Sequence, residues 1–304
     1  YEILLGKPEK KRTVERFVAD FEFKSLEVAR KKTKGLSPLI CAVISGDAPM
    51  VAHFGEGKEV NKPTRAKIED VFVGHWPPLM FALEYGSRHL DVVEQLLELK
   101  ADPNGVDGLG LPLMGACKSI EQVDLMVRYG ANVNHTTGPA HFPSLSMACA
   151  RCAPPEVIRR FIEFGAEVNP RSRGICSPHP ISNLAPWSAM NASCREVAMM
   201  LVEAKCDVNL KHEAKGLFKA IELVSRAQLQ LVGSKSALVH FYSEWTTTPL
   251  GFACFFGAEQ LVEFLLEHDA DPEITNVRGH KPFELARGES VKRVIQEFKS
   301  TISI

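Results

Sequence analysis

The sequence lacks both a strong excess of charge and a long apolar run. Its 304 residues carry 36 Lys and Arg against 37 Asp and Glu, a net charge of −1. A chain without a broad positive field has no general attraction for nucleic acid or anionic lipid. No apolar run approaches the length of about 18 residues that crosses a bilayer, and no secretory signal pattern opens the chain. We predict a soluble protein without a nucleic-acid partner or transmembrane segment.

Cysteines are present but do not form a dense framework. The eight cysteines are spread through apolar segments of the chain. This distribution is typical of reduced, buried thiols in an intracellular protein and excludes a disulfide scaffold. The predicted compartment is the cytoplasm, or an organelle if a targeting segment precedes Tyr1.

What the sequence does contain is a recurring helix pair. In the clearest copy, Thr248 and Pro249 start a helix, because the hydroxyl caps it and the proline fixes φ in the first turn. Gly257 is placed to end that helix. Apolar residues at helical spacing in 261–266 predict a second helix.

The helix-start position recurs seven times. It is occupied by Pro38, Pro78, Pro112, Ser144, Pro186, Pro249 and Pro282. Several copies close with a turn such as Gly-Ala-Asn-Val-Asn at 130–134. These two linked motifs resemble the ankyrin repeat family from about residue 35 to residue 298. The resemblance implies an all-α solenoid of about seven stacked helix-turn-helix repeats with β-turn fingers, which binds proteins through its concave and finger-loop surface.

The repeats also depart from the family pattern. The histidine that usually follows Thr-Pro-Leu is replaced by Ile40, Met80, Met114, Ser146, Ser188 and Gly251. We therefore expect the hydrogen bonds that normally tie neighbouring repeats to be missing, and apolar packing to contribute more of the stability.

Three intervals between helix starts exceed the usual repeat length of about 33 residues. The extra residues predict insertions near 62–76, 170–184 and 210–247, in the finger region. Apolar spacing in the longest insertion predicts one helix from Lys215 to Val232 and a shorter one from Ser236 to Glu244.

Both ends of the solenoid need their own interpretation. Residues 1–34 carry ten Lys and Arg against six Asp and Glu, and form either a capping helix or a docking segment. The solenoid occupies 35–298, where the charged second helix of the last repeat suits an outer cap. Residues 299–304 are predicted to be a C-terminal tail.

A zinc site is the strongest chemical alternative. The pairs Cys149–Cys152 and Cys176–His179 have ligand-like spacing. However, Cys149 lies five residues after its helix start, as Cys117 and Cys254 do in their repeats, which predicts a place in the core. We predict no metal, no cofactor and no catalytic residue. A zinc-stabilised or enzymatic module remains a second alternative.

Candidate partner-binding residues come from the finger side. The residue two before each helix start is expected to face solvent, and large apolar residues there suggest binding. The candidates are Leu36, His75, Trp76, His141, Phe142, Phe241, Tyr242 and Trp245. Trp76 and Phe142 could instead pack against insertions, and the last three could form a core of the longest insertion.

The sequence therefore predicts a non-catalytic adaptor or scaffold that binds another protein. The alternative is a permanent structural subunit of a large multi-protein assembly. Asn209 also lies in a pattern similar to ankyrin asparagines that are hydroxylated, but many such asparagines only stabilise the turn, and that is the interpretation we favour.

Overall fold

A computed structural model describes residues 13–14, 16, 36–55, 60–68, 71–85, 89–136, 142–170, 179–186, 193–212, 214–233 and 235–302. It divides into an N-terminal unit, Tyr1–His135, and a C-terminal unit, Thr136–Ile304. The segment 1–34 lies almost entirely outside the described residues, so its two alternatives stay predictions.

The N-terminal unit contains three helix pairs and one hairpin. Its elements are α1 Pro38–Ser45, α2 Ala48–Gly55, β1 Thr64–Ile68, β2 Val71–Trp76, α3 Pro78–Tyr85, α4 Leu90–Glu98, a 3-10 helix Leu113–Ala116 and α5 Ile120–Arg128. The first member of each pair packs on the first member of the next, and the second members stack likewise. The result is an inner layer and an outer layer of helices.

The C-terminal unit contains four helix pairs and an extra pair of helices. Its elements are α6 Ser144–Ala150, α7 Pro155–Glu163, a 3-10 helix Ile181–Leu184, α8 Ser193–Glu203, α9 Gly216–Val232, α10 Ala237–Ser243, α11 Pro249–Phe256, α12 Glu259–Glu267, α13 Pro282–Leu285 and α14 Glu289–Ile302. α11 packs on both the 3-10 helix and α13, and α12 packs on α8 and α14. The described residues thus contain the seven repeats that the sequence predicts.

The helix-start chemistry is confirmed in α1 and α11. The hydroxyls of Ser37 and Thr248 accept hydrogen bonds from backbone N–H groups three residues on, at 3.3 Å and 3.2 Å. Gly46 and Gly257 end these helices at φ values of 73° and 71°, a left-handed conformation that glycine adopts without steric cost.

The core lies between the inner and outer helices. Inner helices are buried almost throughout, and Ile40, Phe81 and Leu145 lie within the core of their repeats. Outer helices bury only one stripe: Val92, Val93, Leu96 and Leu97 of α4 are each at most 3% exposed. The predicted second-helix stripes are therefore core faces.

The predicted helix start at Pro186 is wrong. Pro180 precedes the inner segment of the fifth repeat, which is the 3-10 helix Ile181–Leu184 between α6 and α11. Pro186 is exposed and follows this helix. The sequence contains two prolines six residues apart, Pro180 and Pro186, and either could begin the inner helix. Only the packing between α6 and α11 distinguishes them. Trp187 and Ser188 lie outside the described residues.

The insertions take two different forms. Residues 64–76 form an antiparallel hairpin, with Thr64 opposite Trp76 and Ile68 opposite Val71. The longest insertion contains α9 and α10, within one residue of the predicted bounds at every end. The third predicted insertion is shorter than expected, because 179–184 belong to the fifth repeat. The predicted tail is also shorter, because α14 continues to Ile302.

Asparagine side chains in the closing turns tie neighbouring repeats through hydrogen bonds, although other residues occupy the histidine position of the repeat. Asn104 donates to the Gly130 carbonyl at 3.0 Å and accepts from the Asn132 N–H at 2.8 Å. Asn61 and Asn169 bridge the turns of their next repeats in the same way. Each amide satisfies one donor and one acceptor of the neighbouring backbone.

Asn209 makes the longest bridge along the chain. Its side chain donates to the Asp269 carbonyl at 2.9 Å and accepts from the Asp271 N–H at 2.8 Å. These bonds hold the fifth and sixth repeats together across the longest insertion. The turn-stabilising role weighed for Asn209 is confirmed.

We expect Asn209→Ala to lower the free energy of unfolding by about 1–2 kcal/mol, because two partly solvated hydrogen bonds are lost. Urea denaturation followed by far-UV circular dichroism measures this change. Glu263→Ala on the exposed face of α12 is the control and should change it by less than about 0.5 kcal/mol. Equal stabilities of the two variants would contradict the bridging role.

Candidate partner-binding surface

The finger of the third repeat, residues 106–112, carries the most exposed large apolar side chain among the described residues of the N-terminal unit. Residues 106 and 112 pair as a short β-bridge, and the Asp107 carboxylate accepts from the N–H groups of Leu109 and Leu111 at 2.8 and 3.0 Å. The tip is thereby held in one conformation, with Leu109 77% exposed. Sequence reasoning missed Leu109, although its place between Gly108 and Gly110 was a signal for a loop tip.

Trp76 is half-buried at the end of β2. Its ring contacts those of Phe81 at 5.4 Å and Tyr85 at 6.4 Å, both on α3. Its neighbour His75 is exposed and has a positive φ of 47°. Trp76 therefore packs partly on its own repeat and keeps one part of its ring accessible.

The column two residues before each helix start is not uniformly exposed. Leu36 is only 3% exposed and Thr247 only 2%, so neither offers surface to a partner. Phe142 is half-buried before α6. His141 lies outside the described residues.

Phe241, Tyr242 and Trp245 belong to an aromatic cluster that joins the long insertion to α11. The Trp245 ring contacts Phe241 at 5.1 Å, Phe252 at 5.5 Å and Phe218 at 5.8 Å. The first two pairs pack edge-to-face, and aromatic packing of this kind stabilises a core beyond the area it buries. These contacts favour the alternative in which the three residues form the core of the insertion.

A buried carboxylate fixes the finger of the last repeat. Glu244 is 7% exposed. It accepts hydrogen bonds from Asn276 and Arg278, and lies 3.3 Å from the His280 ring. The Asn276 side chain in turn accepts from the N–H groups of Arg278 and His280 at 2.8 and 3.0 Å, repeating the role of Asp107 in the third finger. This finger presents the half-buried Arg278 and the exposed apolar Val277.

The thiols occupy core positions, as predicted from the repeat. Burial raises the pKa of Cys117 and of Cys254 to about 12 and raises that of Cys149 further. Such thiols stay protonated at neutral pH and are poor ligands and nucleophiles. Cys176 lies outside the described residues, and His179 is 2% exposed. Within the described part of the chain, no group of three or more His, Cys, Asp or Glu is placed to hold a metal ion.

Comparison with known proteins agrees with this geometry. The ankyrin repeat model matches residues 75–108 and 247–277. The crystal structure of the human ASB11 ankyrin repeat domain is similar with a TM-score of 0.58 at 16% identity, covering 86% of this chain and 98% of that one. The ankyrin repeat domain of Bcl-3, a member of the IkappaB family, has a TM-score of 0.53 at 18% identity, covering 86% and 99%.

No curated protein matches the chain in sequence. The two matched segments are ankyrin repeats, and the chain shares the α-solenoid fold of ankyrin repeat domains. Ankyrin repeats generally serve as non-catalytic protein–protein interaction modules. Of the helices that the structure describes, none combines the length and apolar character needed to cross a bilayer.

His212 gives the C-terminal unit a built-in sensitivity to acid. Its ring stacks on Phe252 at 4.6 Å and meets His179 at 5.2 Å and Trp245 at 6.0 Å. Among the described residues, none accepts from or donates to either ring nitrogen. Burial, with a smaller effect of His179, lowers the pKa of His212 well below its ordinary value. The folded state therefore holds this imidazole neutral.

We expect the free energy of unfolding to fall as the pH drops below about 6.5, because the unfolded histidine takes up a proton that the folded one does not. His212→Phe keeps the ring contacts and should remove about 1 kcal/mol of that loss by about pH 5.5. Urea denaturation of both proteins across this range measures the difference. Parallel pH dependences would contradict the assignment.

Proposed function

We propose that this protein is an adaptor or scaffold that binds a partner protein through the finger side of its repeats. The observation that carries the proposal is the braced finger tip with Leu109 77% exposed. A rigid loop loses little conformational entropy on binding, so a leucine held at its tip is suited to insert into a partner's pocket. The accessible part of Trp76 and the exposed His75, in the preceding finger of the same unit, extend this surface.

Two further features support a binding role. Aromatic and arginine side chains dominate the energetics of protein interfaces, and the fingers present Trp76 in one unit and Phe142 and Arg278 in the other. Buried apolar stripes and asparagine bridges stabilise the repeats. The side chains at the finger tips are therefore not needed for folding and can serve binding. Reduced, buried thiols such as Cys41 and Cys254 support an intracellular location, for which the cytoplasm is our proposal.

The test begins with the protein purified from its source with its bound partners. Leu109→Ser, Trp76→Ala and Phe142→Ala are then compared for retention of the main co-purifying chain. We expect each finger substitution to weaken binding by at least about tenfold, the effect of losing roughly 1.4 kcal/mol at a well-packed contact. Binding is measured by biolayer interferometry with the identified partner.

Met199→Ala is the control, because Met199 is an exposed apolar residue on the outer helix α8. Leu109→Ser is the most informative variant, since so exposed a side chain contributes little to folding. Unchanged binding in all three finger variants would exclude the finger surface. A partner that never dissociates, even on long dilution, would indicate the alternative role as a permanent subunit of an assembly.

A further inference from the structure

Helix α9 has its apolar face turned outward. Leu223 and Val224 are 52% and 57% exposed, and Leu231 and Val232 are 83% and 79% exposed. Leu238 on the adjoining α10 is 66% exposed. A surface helix normally buries its apolar stripe and exposes its polar side chains. Such a concentration of exposed apolar residues is typical of an interaction site.

The inward face of α9 includes polar side chains that form ion pairs. The Glu222 side chain is 0% exposed; it accepts from Lys219 at 2.7 Å and pairs with Arg226 at 2.8 Å. Ser225 is 5% exposed on the same face. Burial alone raises the pKa of Glu222, but the hydrogen bonds and cations hold it below its ordinary value. This ion-paired face, with the Phe218 contacts to Tyr242 and Trp245, fixes which side of α9 points outward.

The exposed residues form one continuous stripe. Ala220, Leu223, Val224, Ala227 and Leu231 are all exposed, at the i, i+3, i+4, i+7 and i+11 positions of one helix face. We call these five residues the α9 stripe. Large side chains alternate with alanines along the stripe and form ridges separated by grooves. Another helix can pack its own ridges into such grooves. The stripe therefore has the shape of half of a helix–helix interface.

Charge beside the α9 stripe is positive. From residue 215 to residue 238 the chain carries four cations, Lys215, Lys219, Arg226 and Lys235, and one carboxylate, Glu222, a net of +3. Helical geometry places Lys219 and Arg226 along one edge of the stripe. Glu222 pairs with both Lys219 and Arg226, so these three side chains together contribute one net positive charge along that edge. Lys215 and Lys235 are exposed near the two ends of α9.

We propose that the α9 stripe binds a helix of a partner protein whose apolar face is bordered by acidic side chains. Burying the leucines and valines supplies the affinity, and the cations along one edge fix the orientation of the partner helix. A second copy of this chain fits poorly, since pairing two stripes would bring their cations together. A lipid surface fits less well than a helix, because the stripe lacks the exposed aromatic residues typical of helices that lie in membrane interfaces.

Two synthetic helical peptides test the proposal on the full-length protein. Both carry leucines at positions i, i+3, i+4 and i+7, and they differ only in having Glu or Lys beside that face. We expect the Glu-bordered peptide to bind at least about tenfold more tightly than the Lys-bordered one. Fluorescence anisotropy of the labelled peptides at low and high salt measures the preference, which should shrink as salt increases.

The double variant Leu223→Gln/Leu231→Gln should lose at least about tenfold in affinity for the Glu-bordered peptide. Met199→Gln, at an exposed apolar residue on the outer helix α8, is the matched control and should bind the peptide unchanged. Circular dichroism of each variant checks that the fold is retained. Equal binding of the two peptides, no detectable binding, or no loss in the double variant would overturn the proposal.

The competing occupants give different results. A dimer in sedimentation experiments that the double variant abolishes would overturn the proposal in favour of a second copy. Binding to phosphatidylserine vesicles that needs both leucines, without any preference between the peptides, would overturn it in favour of a lipid surface. The α9 stripe and the finger surface are independent binding sites. Finger variants that lose their partner but still bind the Glu-bordered peptide would distinguish the two sites.

Discussion

The stack depends on asparagine side chains that hydrogen-bond to the backbone of the next repeat. Each bridge needs two backbone groups in a fixed turn, one carbonyl and one N–H, so it sets both the distance and the register between repeats. Water satisfies these groups equally well in the unfolded chain, and the net contribution of each bond is small. These hydrogen bonds matter because they are directional. Apolar packing is not directional, so by itself it does not fix the position of one helix pair along the next. The bridge from Asn209 shows this best, since it joins repeats that are separated by the longest insertion.

The longest insertion is compatible with the stack because the Asn209 bridge joins the fifth and sixth repeats directly. The insertion that contains α9 and α10 begins after Asn209 and ends at Thr247. Its two ends are held together by a hydrogen bond from the His212 N–H to the Thr247 carbonyl, at 2.9 Å. An aromatic cluster then fastens the insertion to α11. The insertion thus adds a helix with a solvent-facing apolar stripe without disturbing the repeat beneath it. Natural solenoids vary in function through segments of this kind, because such segments contribute least to the stack.

Two surfaces of different character result. The fingers present single side chains on short, braced turns, as Leu109 does above the Asp107 carboxylate. α9 presents a longer stripe suited to one helix. Among the described residues, neither surface contains a cluster of charged side chains of the kind that performs catalysis. The largest pKa shifts belong to buried thiols and to the buried His212.

The sequence by itself determined the fold class, the seven repeats, the core stripes and the helices of the longest insertion. These features follow from local rules, namely a capping hydroxyl, a proline in the first turn, and apolar residues at helical spacing. Tertiary structure alone decided the start of the fifth repeat, the hairpin at 64–76, the burial of Leu36 and the outward direction of α9. An apolar stripe in a sequence predicts a helix but not which side faces the core. In α9 the ion pairs of Glu222 and the contacts of Phe218 decide that direction, and they exist only after the chain has folded.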